Sequence, residues 1–128
     1  MKKTYQGSCH CGAVRFEADL DLAQGTFKCN CSICFKTRAW LAGVAASDFR
    51  LLSGAKSLAD YQFGKKALHH RFCKNCGVRP FSQANGQLAV RVNCLDDVDP
   101  QELIDAPLQY FDMKHDQLKP PPAETRHL

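Results

Sequence analysis

The sequence predicts an all-β domain of two small antiparallel sheets with one short helix near the C-terminus, and three observations predict it. Most of the chain alternates apolar and polar residues with period two. Stretches of helical period are almost absent. A single Asn-Gly pair separates two apolar runs, the pattern of a tight hairpin.

The elements follow in order. Ala13 to Asp19 alternates, with Val14, Phe16 and Ala18 on one face and Arg15, Glu17 and Asp19 on the other. Thr26–Cys29, Trp40–Ala45, Leu58–Phe63 and Ala67–Phe72 read as further strands. Asn85-Gly86 turns the chain after Phe81, and Gln87 to Asn93 returns with Leu88, Val90 and Val92 inward. The helix is predicted to begin at Asp99, with Pro100 at its first position and Glu102 placed to complete a capping box. It ends near Asp105, because Pro107 follows. Residues 1–118 are expected to form one metal-binding domain, and 119–128, with Pro120-Pro121-Pro122, an extended tail that is solvated or docked.

The length of 128 residues suits one domain, with 45% hydrophobic and 23% charged residues. Lys2-Lys3 is not followed by the apolar stretch of a signal peptide. The longest apolar run, Ala39 to Ala46, is too short to span a bilayer. A cytoplasmic location with no membrane partner is therefore expected. In that reducing setting, eight cysteines read as metal ligands before disulfides.

The cysteines form three groups and one singleton: Cys9-His10-Cys11, Cys29-Asn30-Cys31-Ser32-Ile33-Cys34, Cys73-Lys74-Asn75-Cys76-Gly77, and Cys94. Residues i and i+2 of an extended segment point the same way, so Cys9 and Cys11 can grip one ion while His10 points away. A Cys-x-x-Cys pair forms a tight loop, and Gly77 permits the positive φ with which the chain turns back. Structural zinc takes four protein ligands; catalytic zinc takes three and keeps one position open. Seven clustered cysteines divide naturally into Cys9, Cys11, Cys73 and Cys76 for one Zn²⁺ and Cys29, Cys31 and Cys34 for a second. A three-ligand site holds its ion less firmly, so partial occupancy is expected there. Three thiolates make zinc a poor Lewis acid for water and suit a soft visitor, a substrate thiol. The expected chemistry is addition of a small thiol to a carbon electrophile, with Cys29, Cys31 and Cys34 as the catalytic set. The alternatives are a second structural zinc closed by another side chain, and a non-catalytic module that binds a small thiol, protein or nucleic acid.

The formal charge of +4 is weak support for nucleic acid, since Lys and Arg do not cluster. Seven thiolates and two Zn²⁺ would reduce it to +1. A zinc deaminase is excluded, because no His-x-Glu exists and Phe72 stands where that motif needs proline.

Gly7-Ser8-Cys9-His10-Cys11-Gly12-Ala13-Val14 is similar to the opening of the glutathione-dependent formaldehyde-activating enzyme family, which includes the centromere protein V domain. Cys29-x-Cys31-Ser32-x-Cys34 and Phe72-Cys73-x-x-Cys76-Gly77 follow in that family's order, and the resemblance spans about Gly7 to Asp97. The segments Asn75–Phe81 and Pro122–Leu128 look like those of a small bacterial branch. The resemblance implies a two-sheet β-tent fold and the same four-plus-three division of cysteines. It also implies glutathione, as the small thiol of either the catalytic or the binding reading, and formaldehyde as partners, and a carbon–sulfur lyase that forms S-hydroxymethylglutathione.

The remaining candidates are secondary. Arg71, Arg79 and Arg91 are placed to pair a glutathione carboxylate. His69 and His70 are neighbours on one strand, so only one can face inward; either is a proton donor candidate. Cys94 reads as a small buried hydrophobe, Trp40 and Phe49 as core or pocket wall, and Asp96-Asp97 as a turn. Neither the aldehyde nor the oligomeric state is written in the sequence.

Overall fold

The computed structural model describes residues 1–128. In chain order the elements are β1 (Lys3–Ser8), β2 (Arg15–Leu20), β3 (Thr26–Cys29), α1 (Ser32–Thr37), β4 (Leu41–Ala45) and β5 (Phe49–Ser53). Then come β6 (Leu58–Tyr61), β7 (His69–Cys73), β8 (Phe81–Ala84), β9 (Gln87–Arg91), α2 (Pro100–Asp105) and β10 (Leu108–Phe111). The strands make two sheets: three strands in the order β1-β2-β5, and seven in the order β10-β3-β4-β9-β8-β7-β6.

The expected all-β architecture holds. Phe16, Ala18 and Leu20 of β2 are buried while Arg15, Glu17 and Asp19 are not, the alternation read from sequence. Leu88 and Val90 of β9 face the same core, and Val92 follows them into it just past the strand end. The Asn85-Gly86 hairpin pairs Ala84 with Gln87 and Phe81 with Val90. The core lies between the sheets, where Tyr5, Phe16 and Ala18 meet Val44, Phe81 and Val90. Phe16, Phe49 and Phe81 form an aromatic cluster with ring centroids 4.7–6.1 Å apart. Gly7 sits opposite Phe16, where a Cβ would collide with the ring.

Strands β1, β5 and β10 are not among those read from sequence, and two further features differ from that reading. The large sheet carries one parallel edge, with Leu108 beside Thr26 and Phe111 beside Cys29, because α2 returns the chain to the β3 side. A second helix, α1, lies inside the middle cysteine group. No side chain caps it, its first turn has no acidic residue, and Arg38 ends it at φ 49°, so the usual helix signals are missing. No helix is long and apolar enough to cross a membrane.

α2 is built as predicted. Asp99 accepts from the Gln101 N–H at 2.9 Å and Glu102 accepts from the Asp99 N–H at 2.9 Å. Glu102 also accepts from the Tyr5 hydroxyl at 2.8 Å and pairs with Lys3, which ties α2 to β1. The Lys3 ammonium, the Asp99 N–H and the Tyr5 hydroxyl hold its carboxyl down at about 2. A depressed carboxyl pKa stabilises the fold above its ordinary value of 4.5, and that contribution is lost as pH falls toward 2. Glu102→Gln is therefore expected to cost about 1 kcal/mol at pH 7. In urea unfolding, the gap between variant and wild type should close between pH 4.5 and 2.

Candidate metal centres

All eight cysteines are free thiols. Seven of them fall into two groups, and within each group the sulfurs lie within 4.8 Å of one another. The groups are the two read from spacing: Cys9, Cys11, Cys73 and Cys76, and Cys29, Cys31 and Cys34.

The first centre sits where the two sheets meet. Cys9 and Cys11 lie on the turn between β1 and β2, in the small sheet. Cys73 ends β7, and Cys76 lies on the turn to β8, in the large sheet. Each turn is closed by its own backbone. Cys9 donates to Val14 at 3.0 Å and Gly12 to Cys9 at 3.3 Å; Cys73 donates to Val78 at 2.9 Å and Gly77 to Cys73 at 2.8 Å. Both turns reverse at a glycine in the left-handed region, Gly12 at φ 82° and Gly77 at φ 80°. Sequence reading anticipated Gly77; Gly12 obeys the same rule.

Backbone N–H groups are aimed at the sulfurs. Val14 donates to Cys9 Sγ at 3.3 Å. N–H bonds from Cys11 and then Val78 pull the Cys76 thiol down to about 6. Cys9 Sγ is 3.6 Å from Cys11 Sγ, which is 3.7 Å from Cys73 Sγ. Cys9 and Cys73 are buried and pack with Val14 in an apolar cluster of their own. Four closely set sulfurs fed by N–H donors fit a closed cation site.

The second centre is built from one short stretch. Cys29 ends β3, Cys31 stands at the N-terminal boundary of α1 without a side-chain capping bond, and Cys34 stands three residues along, on the same face of the helix. Cys29 is buried; Cys31 and Cys34 are half-buried. The bond offered by the Cys31 thiol, then that of Cys34, lowers the Cys29 pKa, while Cys29 in turn raises Cys31 and Cys34. One proton leaves easily and the others are held, because like charges this close repel. A cation is what allows all three to ionise together.

Asn30 and Asp112 hold this stretch in place, and neither was singled out by sequence. Asn30 Nδ2 donates to the buried Asp112 at 2.7 Å, and Asn30 Oδ1 accepts from the Lys114 N–H at 2.9 Å. The Asn30 amide, then His115, keeps the Asp112 carboxyl below its ordinary range. The signal lies in β10 pairing, eighty residues away, which no local pattern reports.

No fourth thiol, imidazole or carboxylate joins the three sulfurs. They line a cavity of about 390 Å³ instead. The cavity also takes in His70, Arg71, Arg79 and Arg91, so all three arginines singled out by sequence reach it. It contains no Asp or Glu. His70 lines it and stacks on Phe63, with ring centroids 5.5 Å apart. Burial, then Arg79 and Arg91, lowers the His70 pKa, which leaves the imidazole neutral at pH 7. His69 does not line this cavity; its Nδ1 pairs with Asp60 at 2.6 Å. Arg91 donates to the Thr37 carbonyl at 3.4 Å and hydroxyl at 3.0 Å. Arg79 stands over Phe72 and keeps Nη1 buried without a hydrogen-bond partner. Neither guanidinium forms an ion pair.

Thr37, Arg79 and Arg91 also line a second recess of about 610 Å³, with Lys28, Arg38 and Trp40. Lys28 and Arg38 donate there to the carbonyl of the buried Leu128 at 3.3 and 3.1 Å. His127 meets Phe35 of α1, so the tail docks beside the second centre. Cys94 lines the same recess and belongs to neither sulfur group, and burial pushes its thiol up to about 11. It packs against the main core, as expected of a small hydrophobe. His10 is exposed and belongs to neither centre.

Fold and site together define a small β protein with two cysteine centres able to hold metal ions, one closed and one facing a cavity. The family model described as glutathione-dependent formaldehyde-activating enzyme matches residues 4–112, and the chain belongs to that family. It is similar to a crystal structure of a Rhodobacter sphaeroides protein, a structural-genomics target, with a TM-score of 0.72 and 35% identity. That likeness covers 81% of this chain and 99% of the other.

Metal analysis is expected to find two ions per chain. Cys31→Ser should lose one ion and keep the far-ultraviolet circular dichroism. Cys73→Ser should lose the other and unfold, since structural zinc contributes on the order of 10 kcal/mol in small peptides. Equal effects of the two substitutions on folding would show that the centres are not divided in this way.

Proposed function

We propose that the chain is a zinc-dependent carbon–sulfur lyase that condenses a small thiol, glutathione, with an aldehyde, or runs the reverse. The observation that carries this reading is a set of three thiols, one short of a closed tetrahedral site, lining a cavity. Family membership supports the glutathione and aldehyde partners. Free thiols throughout the chain suit a cytoplasmic setting.

Cys29, Cys31 and Cys34 would hold the catalytic Zn²⁺, and Cys9, Cys11, Cys73 and Cys76 the structural one. When bound by the three cysteines, Zn²⁺ supplies the positive charge that lets an incoming thiol ionise at neutral pH while remaining nucleophilic. The chain's own residues do the rest. Arg79 and Arg91, which no carboxylate neutralises, take the carboxylates of the tripeptide and offset the charge of the thiolate cluster. The thiol sulfur then attacks the aldehyde carbon. A C–S bond forms, the C=O π pair moves to oxygen, and that oxygen receives one proton. Neutral His70, on the cavity wall, relays the proton that the thiol gave up.

X-ray absorption at the zinc edge tests this reading. Glutathione is expected to raise the average sulfur coordination of the two-zinc protein; indifference of both metals contradicts the proposal and favours a purely structural module. Arg79→Gln should raise the KM for glutathione about tenfold, with zinc content unchanged. Steady-state rates corrected for the spontaneous reaction measure it.

A further inference from the structure

The walls of the cavity that holds the second centre point to the aldehyde. Fourteen of its twenty lining residues are hydrophobic, the three cysteines among them. Phe27 and Phe111, whose ring centroids are 5.3 Å apart, line it beside the cysteine stretch. Phe63, Leu68 and Leu118 also line it, and each is more than 40% exposed to solvent. Formaldehyde is a single polar carbon and is hydrated in water; glutathione carries charges at both ends. Neither has surface that would cover these side chains. A cavity of about 390 Å³ is within the range that encloses a drug-sized molecule. Exposed apolar side chains converging on a chemical centre mark a binding surface.

We infer that the electrophile is a hydrophobic aldehyde, with an alkyl or aryl tail, rather than formaldehyde. This inference rests on the thiol–aldehyde reading and narrows it. The tail takes the apolar lining, Phe63 and Leu68 included, and its carbonyl carbon faces the three sulfurs. The charged thiol takes the Arg79–Arg91 side, where the cavity borders the cationic recess. Sulfur bonds to the carbonyl carbon and the oxygen takes the thiol's proton. The product is a hemithioacetal, and no oxidant or reductant is involved.

The experiment compares formaldehyde, butanal, hexanal and benzaldehyde with glutathione on the metal-loaded protein, with spontaneous rates subtracted. Each added methylene should raise kcat/KM about fourfold until the cavity is full. In parallel, 1-hexanol, which cannot react, should shift the amide signals of Phe63 and Leu68 in nitrogen-15 NMR spectra. Phe63→Ala and Leu68→Ala, substitutions at exposed positions, should reduce the preference for hexanal over formaldehyde while two metal ions per chain are retained. Formaldehyde turned over as well as hexanal, with no hexanol shifts, overturns this inference and leaves the thiol–aldehyde reading intact. No acceleration of any aldehyde overturns both.

Discussion

The rest of the structure depends on four sulfurs that cannot ionise together without a cation. They come in pairs from two turns sixty residues apart, one in each sheet. As thiolates, like charges at 3.6–3.7 Å would repel, so a positive ion shared between the two turns is what would let all four sulfurs ionise in this arrangement. An ion held there would crosslink sheets that otherwise meet through their shared apolar core. The Phe16–Phe49–Phe81 cluster closes the same interface by apolar packing, and α2 braces it through Glu102.

The second centre uses the same physics with a different outcome. Its three sulfurs lie within one short segment, so an ion held there would crosslink little of the fold. What the segment needs is support from outside, and the Asn30–Asp112 bond with the parallel β3–β10 edge provides it. The centre faces a cavity, and no fourth metal-binding side chain closes it. The lining of that cavity mixes two chemistries: guanidiniums without a carboxylate partner, and aromatic and aliphatic side chains. The reading of a charged thiol meeting a hydrophobic aldehyde follows from that mixture.

Much of this was legible in the sequence. Period-two patterning located β2 and β9, Asn85-Gly86 fixed the β8–β9 hairpin, and Asp99, Pro100 and Glu102 marked α2, because each signal is local. The cysteine spacings divided seven thiols into the two groups that the fold brings together, since short spacings are geometric statements. Other elements left no local trace. β5 exposes Leu51 and Leu52 and so lacks a clean alternation. β10 is four residues long and owes its place to a strand eighty residues away. α1 starts at a cysteine without the usual cap. The choice of His70 over His69 depended on which face of β7 turned toward the cavity, a matter of register with β8 that the His-His pair does not reveal.

Stepwise removal of metal by a chelator, followed by circular dichroism and by counting the ions released, tests the central claim most directly. The first ion should leave with the secondary structure unchanged, and the second should leave only as the fold is lost. Loss of structure with the first ion, or release of both from a protein that stays folded, would contradict a single crosslinking centre beside an open one.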